Sequence, residues 1–197
     1  PALGLREARV LDFGCGTRPY EPWFAAAGAR YHGADIDAQH EVRIRDGKLE
    51  CADGEYDLVA SFQVLEHVWD IGTYLGEARR ALRPQGWLLL STHGSWLYHP
   101  HPRDYRRWTA EGLQREVESR GFRLERMEPV VGPLAWTTIF RSLGVAHVLK
   151  PLPAVGPALA GLAAVLLNVQ AWVEDRITPR AITAVNACTY IALFRRS

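Results

Sequence analysis

Short apolar runs alternate along this chain with segments of helical spacing. Residues 9–13 form an apolar run closed by a glycine turn, and 19–27 follow as a helix with proline near its start and Gly28 at its end. Residues 29–34 read as a second strand running into the acid Asp35, and 56–62, rich in apolar β-formers, as a third. The spacing of Tyr74, Leu75, Ala78 and Leu82 predicts a helix over 71–82, stopped by Pro84-Gln85-Gly86 and followed by a buried strand over 87–92. Thr109 is placed to cap a helix through Arg120, with Gly121 ending it before a strand from Phe122 to about Glu128. Residues 186–194 are the candidate last strand. Between Asp35 and Asp57 there is too little chain for a helix, a strand and their loops, so the crossover there is shortened or absent, with 42–44 as a short strand. Strands alternating with helices imply an α/β, doubly wound fold with a mainly parallel sheet covered on both faces.

One stretch departs from this rhythm. Residues 151–173 carry no charge, long enough to raise a membrane span. A span would strand the last strand on the far side of the membrane from its sheet, so the segment is expected to be a buried or dimer-forming helix, or a lid or membrane-surface helix. The chain reads as one domain over 1–197, with 130–185 a helical insertion before the last strand.

Composition narrows the class. With 197 residues, 48% apolar and 23% charged, the chain can bury a sizeable core, which sets disorder aside. A formal net charge of +1 is too small for a protein that grips nucleic acid by charge, so no DNA partner is expected. Cys15, Cys51 and Cys188 are odd in number and widely spaced, which fits small apolar residues in a reducing compartment. The first residues run into a strand without a basic start and an apolar stretch, so no signal peptide is read and a cytoplasmic location is expected, with contact at the inner membrane face left open. Helices that often precede such a strand are missing, as in a truncated chain or a minimal relative.

The strongest chemical signal is Val10-Leu-Asp-Phe-Gly-Cys-Gly-Thr17, a strand ending in an acid, two glycines and then a helix. A glycine turn lets a ligand approach the backbone at the switch point of such sheets, although dinucleotide-binding proteins share this physics. Their third glycine is missing here, with Arg18 and Tyr20 near its place. In Gly33-Ala-Asp-Ile-Asp37 the acid Asp35 can accept from ribose hydroxyls, while Asp37 can instead cap the following turn. Asp46 can accept from an adenine amino group while the N–H of Gly47 meets the ring, or the pair can simply form a turn.

These motifs in order, followed by Gln63-Val-Leu-Glu-His67-Val, resemble the class I S-adenosylmethionine-dependent methyltransferases often called the type 11 family, over residues 10–128 and weakly beyond. The resemblance implies a seven-stranded Rossmann-like sheet with the final strand antiparallel, and S-adenosyl-L-methionine as cofactor. It implies Asp12, Gly14 and Gly16, with Cys15 between and Arg18 after them, around the methionine and ribose part. Asp35 would meet the ribose and Asp46 the adenine, with Ile36, Gly47 and Gln63 also among the cofactor-binding residues. Ser91-Thr-His-Gly94 and the run from Tyr98 to Thr109 are similar to a bacterial subgroup associated with cell-surface glycan or glycolipid biosynthesis.

Methyl transfer needs a base only when the acceptor must lose a proton. His93, after one strand, and His67, after another, can both point into a cleft at the sheet's carboxyl edge, and His93 is preferred. Gln63, Glu66 and His67 also evoke a divalent-ion site, but Gln63 stands where a hard anionic ligand would be needed, so no metal is expected. Arg103, Arg106 and Arg107 among Tyr105 and Trp108, with His99 before them, mix guanidinium forks with aromatic faces, which suits a phosphate or sugar acceptor. The expected activity is O-methylation of a sugar hydroxyl on a glycan or a lipid- or nucleotide-linked sugar. The rivals are a methyltransferase for a small apolar or quinone-like acceptor and a non-catalytic cofactor-binding or assembly module that uses the apolar segment as an interface, in a homodimer for instance. An NAD-dependent oxidoreductase is disfavoured by the incomplete glycine fingerprint.

Overall fold

A computed structural model describes residues 4–36 and 40–197. β1 (Arg9–Phe13) leads to α1 (Glu21–Ala26), which carries proline in its first turn, where a missing N–H costs nothing. β2 (Arg30–Ala34) lies parallel to β1, with Asp12 opposite Gly33. Among the described residues beyond it, none forms a further strand of the sheet before Tyr56. Instead the chain returns along the outer edge of β2, where the Glu41 carboxylate accepts from Gly33 N–H (2.9 Å) and Val42 N–H donates to Gly33 O (3.2 Å). Asp37, read as a turn cap, lies outside the described residues.

The short strand expected at 42–44 is β3 (Ile44–Arg45), which pairs with β4 (Lys48–Leu49) in a separate antiparallel hairpin. Asp46 (φ +51°) and Gly47 (φ +76°) form its two-residue turn, a conformation that Asp-Gly adopts readily. β5 (Tyr56–Phe62) then runs parallel to β1, and α2 (Ile71–Ala81) starts where the Asp70 side chain accepts from Thr73 N–H (3.0 Å). Ile71, Tyr74, Leu75, Ala78 and Ala81 form its buried stripe. Arg80 on this helix ties down the hairpin's tail, donating to Leu49 O (2.7 Å), Cys51 O (2.8 Å) and the Asp53 and Glu77 carboxylates (2.8 Å each). A hairpin pinned to α2 thus replaces the missing crossover.

β6 (Leu82–His93) is longer than the strand expected at 87–92. Tyr56 faces Leu82 but Leu58 faces Trp87, so the Pro-Gln-Gly stretch is a bulge within the strand, with Gln85 at φ +61°. α3 (Ala110–Glu118) is capped by Thr109, whose hydroxyl accepts from Gly112 N–H (3.0 Å), and β7 (Phe122–Val130) follows. α4 (Pro133–Leu149), α5 (Gly156–Ile177) and α6 (Arg180–Val185) precede β8 (Thr189–Arg196).

Among the described residues the sheet has six strands, not seven, in the order β2-β1-β5-β6-β8-β7. The absent one is the edge strand that the short 35–57 segment has no room to build. β8 is antiparallel to its neighbours. Cys188, just before it, bonds Gly94 N–H (2.8 Å) and Val131 O (2.9 Å) beyond the ends of β6 and β7, whereas Ser197 N–H reaches Gly121 O (3.1 Å) before the start of β7. Val10, Leu11, Val59, Ala60 and Leu88 are fully buried, as a sheet covered on both faces requires.

The chain divides into two compact units: Pro1–Thr92, His99–Met127 and Ile191–Ser197 form one, and His93–Tyr98 with Glu128–Tyr190 the other. Within the second, α4 and α5 pack together. α5 buries Gly156, Ala160 and Ala171, while Leu162, Val165, Leu166, Val169 and Trp172 are each 58–62% exposed. Burial of the large apolar side chains, one of the expected fates of this segment, is therefore not what the structure shows. By length and composition α5 is long and apolar enough to cross a membrane.

Candidate functional site

A cavity of about 700 Å³ in the first unit opens at the carboxyl ends of β1, β2 and β5, at the switch point where the strand order reverses between β1 and β5. Phe13 and Gly14 line it from β1, Asp35 and Ile36 from β2, Gln63 and Val64 from β5, and Asp46 and Gly47 from the tip of the hairpin. Gly14 sits at φ +88°, and a Cβ there would meet Val64 Cγ2 at 2.4 Å, so only glycine lets the chain pass this close. Gly16 N–H donates to Asp35 Oδ2 (2.8 Å), which fixes the acid at the rim of the turn. Gln63, at φ +55°, donates through Nε2 to Ser91 Oγ (3.0 Å), and its Oε1 is buried with no hydrogen-bond partner among the described residues.

Asp12, Cys15, Gly16 and Arg18 do not line the cavity. Asp12 is buried beneath it and accepts from Tyr31 O–H (2.7 Å). Burial raises its carboxyl from the ordinary 3.8 to about 6, against the hydrogen bond from Tyr31 and helped by the nearby Asp35. Burial likewise pushes the Cys15 thiol up to about 12, so this cysteine is an inert filler of the turn. Arg18 is held by Glu21 and Glu41 and stacks over the Tyr31 ring at 5.0 Å. Its role here is to brace the glycine turn against β2. All three cysteines are unpaired.

The far wall comes from residues 64–74 and 99–102. His67 ends a single 3-10 turn (Leu65–His67), and its Nδ1 bonds the carbonyl oxygen of Arg103. A carbonyl only accepts, so Nδ1 carries the proton and the neutral ring keeps its lone pair on Nε2. The His99 ring meets His67 edge-on at 5.0 Å, and His101 and Pro102 complete the wall.

Arg103, Tyr105, Arg106 and Trp108 lie outside this lining. They and their neighbours fasten the loop that carries the histidines. Arg106 donates to Val68 O (2.8 Å) and Trp69 O (3.3 Å), and Tyr105 N–H to the Glu66 carbonyl (2.9 Å). Arg107 grips the nearly buried Asp104 with two bonds (2.5 and 2.7 Å), which holds that carboxyl well below the usual range, and Asp104 also accepts from His99 N–H (2.9 Å). Tyr105 packs on Trp69. His93 belongs to the second unit, where its Nδ1 is 3.4 Å from Thr189 Oγ1 and its ring stacks on Trp96 at 5.3 Å. It does not line the cavity.

Sequence reasoning passed over Ile44, Val64, Asp70, Thr73, Tyr74 and His101. Tyr74 reads as helix core, and its hydroxyl does donate to Phe13 O (2.8 Å) beneath the site. His101 carried a signal, since it repeats the His-Pro pair of His99.

A family model described as a methyltransferase domain matches residues 2–126. A probable S-adenosylmethionine-dependent methyltransferase of Mycolicibacterium smegmatis is 33% identical over 59% of this chain and 52% of its own length. A ubiquinone biosynthesis O-methyltransferase of Bradyrhizobium is 30% identical over 45% of this chain and 41% of its own. The chain spans about half the length of these curated relatives. In fold it is similar to an S-adenosylmethionine-dependent methyltransferase from Mesorhizobium loti, with a TM-score of 0.59 at 18% identity over 98% of this chain and 93% of that one. With the sheet order, the glycine turn and the matched span together, the chain belongs to the methyltransferase-domain family, within the class I S-adenosylmethionine-dependent methyltransferases.

Proposed function

We propose that this protein transfers a methyl group from S-adenosylmethionine to a hydroxyl oxygen, with His67 as the base. The observation that carries this reading is the His67 ring in the cavity wall, its Nδ1 tied to Arg103 O so that Nε2 is the proton acceptor. The cavity fits the cofactor: the Gly14 backbone allows close approach, Asp35 takes ribose hydroxyls, Asp46 and Gly47 flank the adenine end, and the unpartnered Gln63 Oε1 is an acceptor for an ammonium group. When bound, S-adenosylmethionine supplies a methyl carbon made electrophilic by its sulfonium. The residues of this chain would hold the acceptor hydroxyl beside His67, whose Nε2 would take the hydroxyl proton as the methyl group is supplied.

The acceptor we infer is a hydroxylated group on an apolar carrier. A diphosphate clamp by Arg106 and Arg107 finds no support, because Arg106 is taken up by the carbonyls of Val68 and Trp69 and Arg107 by the Asp104 carboxylate. A lipid-linked sugar fits the glycan-associated motifs, and a quinone-like ring fits the printed name of the Bradyrhizobium relative. An assay with methyl-labelled S-adenosylmethionine against lipid-linked sugars in one arm and hydroxylated quinone precursors in the other separates the two. In whichever arm is methylated, His67→Ala is expected to lower kcat about 100-fold or more, with cofactor affinity unchanged. Full activity in His67→Ala, or methylation of nitrogen or carbon alone, overturns the reading.

A further inference from the structure

We propose that the outer stripe of α5, with the α4–α5 turn, is a docking surface for an anionic phospholipid bilayer, an inference that stands whether or not the acceptor is an oxygen. The helix is inside-out for a soluble core. Its glycine and alanines (Gly156, Ala160, Ala171) are buried, while one face carries Leu162, Val165, Leu166, Val169 and Trp172, each more than half exposed. At 3.6 residues per turn these five occupy about a third of the helix circumference, opposite the buried small residues. The turn adds exposed Leu152 and Val155, and α4 adds Val148.

Charge selects the occupant. From residue 129 to 173 there is no acid, and the only formal charges are Arg141 and Lys150, both exposed. Lys150 sits in the turn beside the apolar residues, where its long stem can lie along hydrocarbon while the ammonium reaches a headgroup phosphate. At the other end of the stripe the Arg176 guanidinium stacks on the Trp172 ring at 3.4 Å, an aromatic and a cation at the level where a bilayer turns from apolar to polar. A protein partner of ordinary surface composition would present acids and donors that this stripe cannot pair, whereas acyl chains and lipid phosphates match it from 129 to 173. The acids that follow are engaged within the chain, Glu174 accepting from Gln170 Nε2 (2.7 Å) and Asp175 from Gly132 N–H (2.8 Å).

The test is co-sedimentation of the chain with phosphatidylcholine vesicles and with vesicles of equal parts phosphatidylcholine and phosphatidylglycerol, alongside sedimentation equilibrium without lipid. We expect binding to the anionic vesicles, a loss of about tenfold or more in Leu162→Gln/Leu166→Gln, and a loss of about fivefold in Lys150→Gln. These side chains are exposed, and unchanged helix content by circular dichroism verifies that each variant is folded. A chain that stays in the supernatant with every vesicle overturns the proposal, as does binding that the double variant leaves unchanged. Self-association abolished by the double variant, without vesicle binding, also overturns it and assigns the stripe to a second copy.

Discussion

The two units solve opposite packing problems with much the same residue types. In the first, Leu11, Leu58, Leu75 and Leu88 point inward and are at most 1% exposed, while arginines and acids tie loops together at the rim. In the second, α5 turns Leu162 and Leu166 outward and packs on alanine and glycine. Leucine to leucine, the chemistry is identical and only the surroundings differ. The comparison teaches that a run of apolar residues reveals how much surface must leave water but not what it leaves water against. In the sheet the answer lies within the chain, where strand alternation and helix stripes interlock. On α5 it lies outside.

The sharpest way to break this contrast is a matched pair of truncations followed by denaturant unfolding. Leu11→Ala, at a fully buried position, is expected to cost roughly 2–5 kcal/mol, because neighbouring strands cannot close the cavity. Leu162→Ala, 59% exposed, is expected to change stability by no more than about 0.5 kcal/mol. Similar losses at the two sites would show α5 to be part of the chain's own core.

A smaller effect sharpens the picture of the sheet unit. The folded Asp12 carboxyl holds its proton up to about pH 6, against an ordinary 3.8, so between those values folding takes up a proton and stability falls as the pH rises. The difference is worth at most about 3 kcal/mol, fully expressed above pH 6 and absent below about pH 4. Asp12→Asn is therefore expected to flatten the dependence between pH 4 and 6 in parallel denaturation series. A wild type as flat as the variant would mean that Tyr31 and the glycine turn stabilise the charged form after all.

The fold was legible wherever local signals agreed. Proline in the first turn and Gly28 marked α1, Thr109 capped α3, and the acids at the ends of β1 and β2 lie near the switch point. The length of segment 35–57 announced the deletion but not its remedy, because the clamp by Arg80 joins groups far apart in sequence. The candidate site was half legible for the same reason. Asp35, Asp46 and Gly47 sit on motifs, whereas Arg106 and Arg107 read as ligands for an anion when their acceptors are backbone carbonyls of 68–69 and the Asp104 carboxylate. Nothing in the sequence separates the two histidines that end strand–loop segments, yet only His67 lines the cavity.

The central claim is that the cavity at the β1–β5 switch point is the cofactor site, and it is tested most directly by calorimetric titration with S-adenosylhomocysteine of the wild type and Asp35→Ala. The account predicts one site per chain with an affinity in the micromolar range, weakened about 10-fold or more in the variant, the cost of a charge-assisted hydrogen bond. Equal affinity in the two proteins would place the ligand elsewhere and contradict the account.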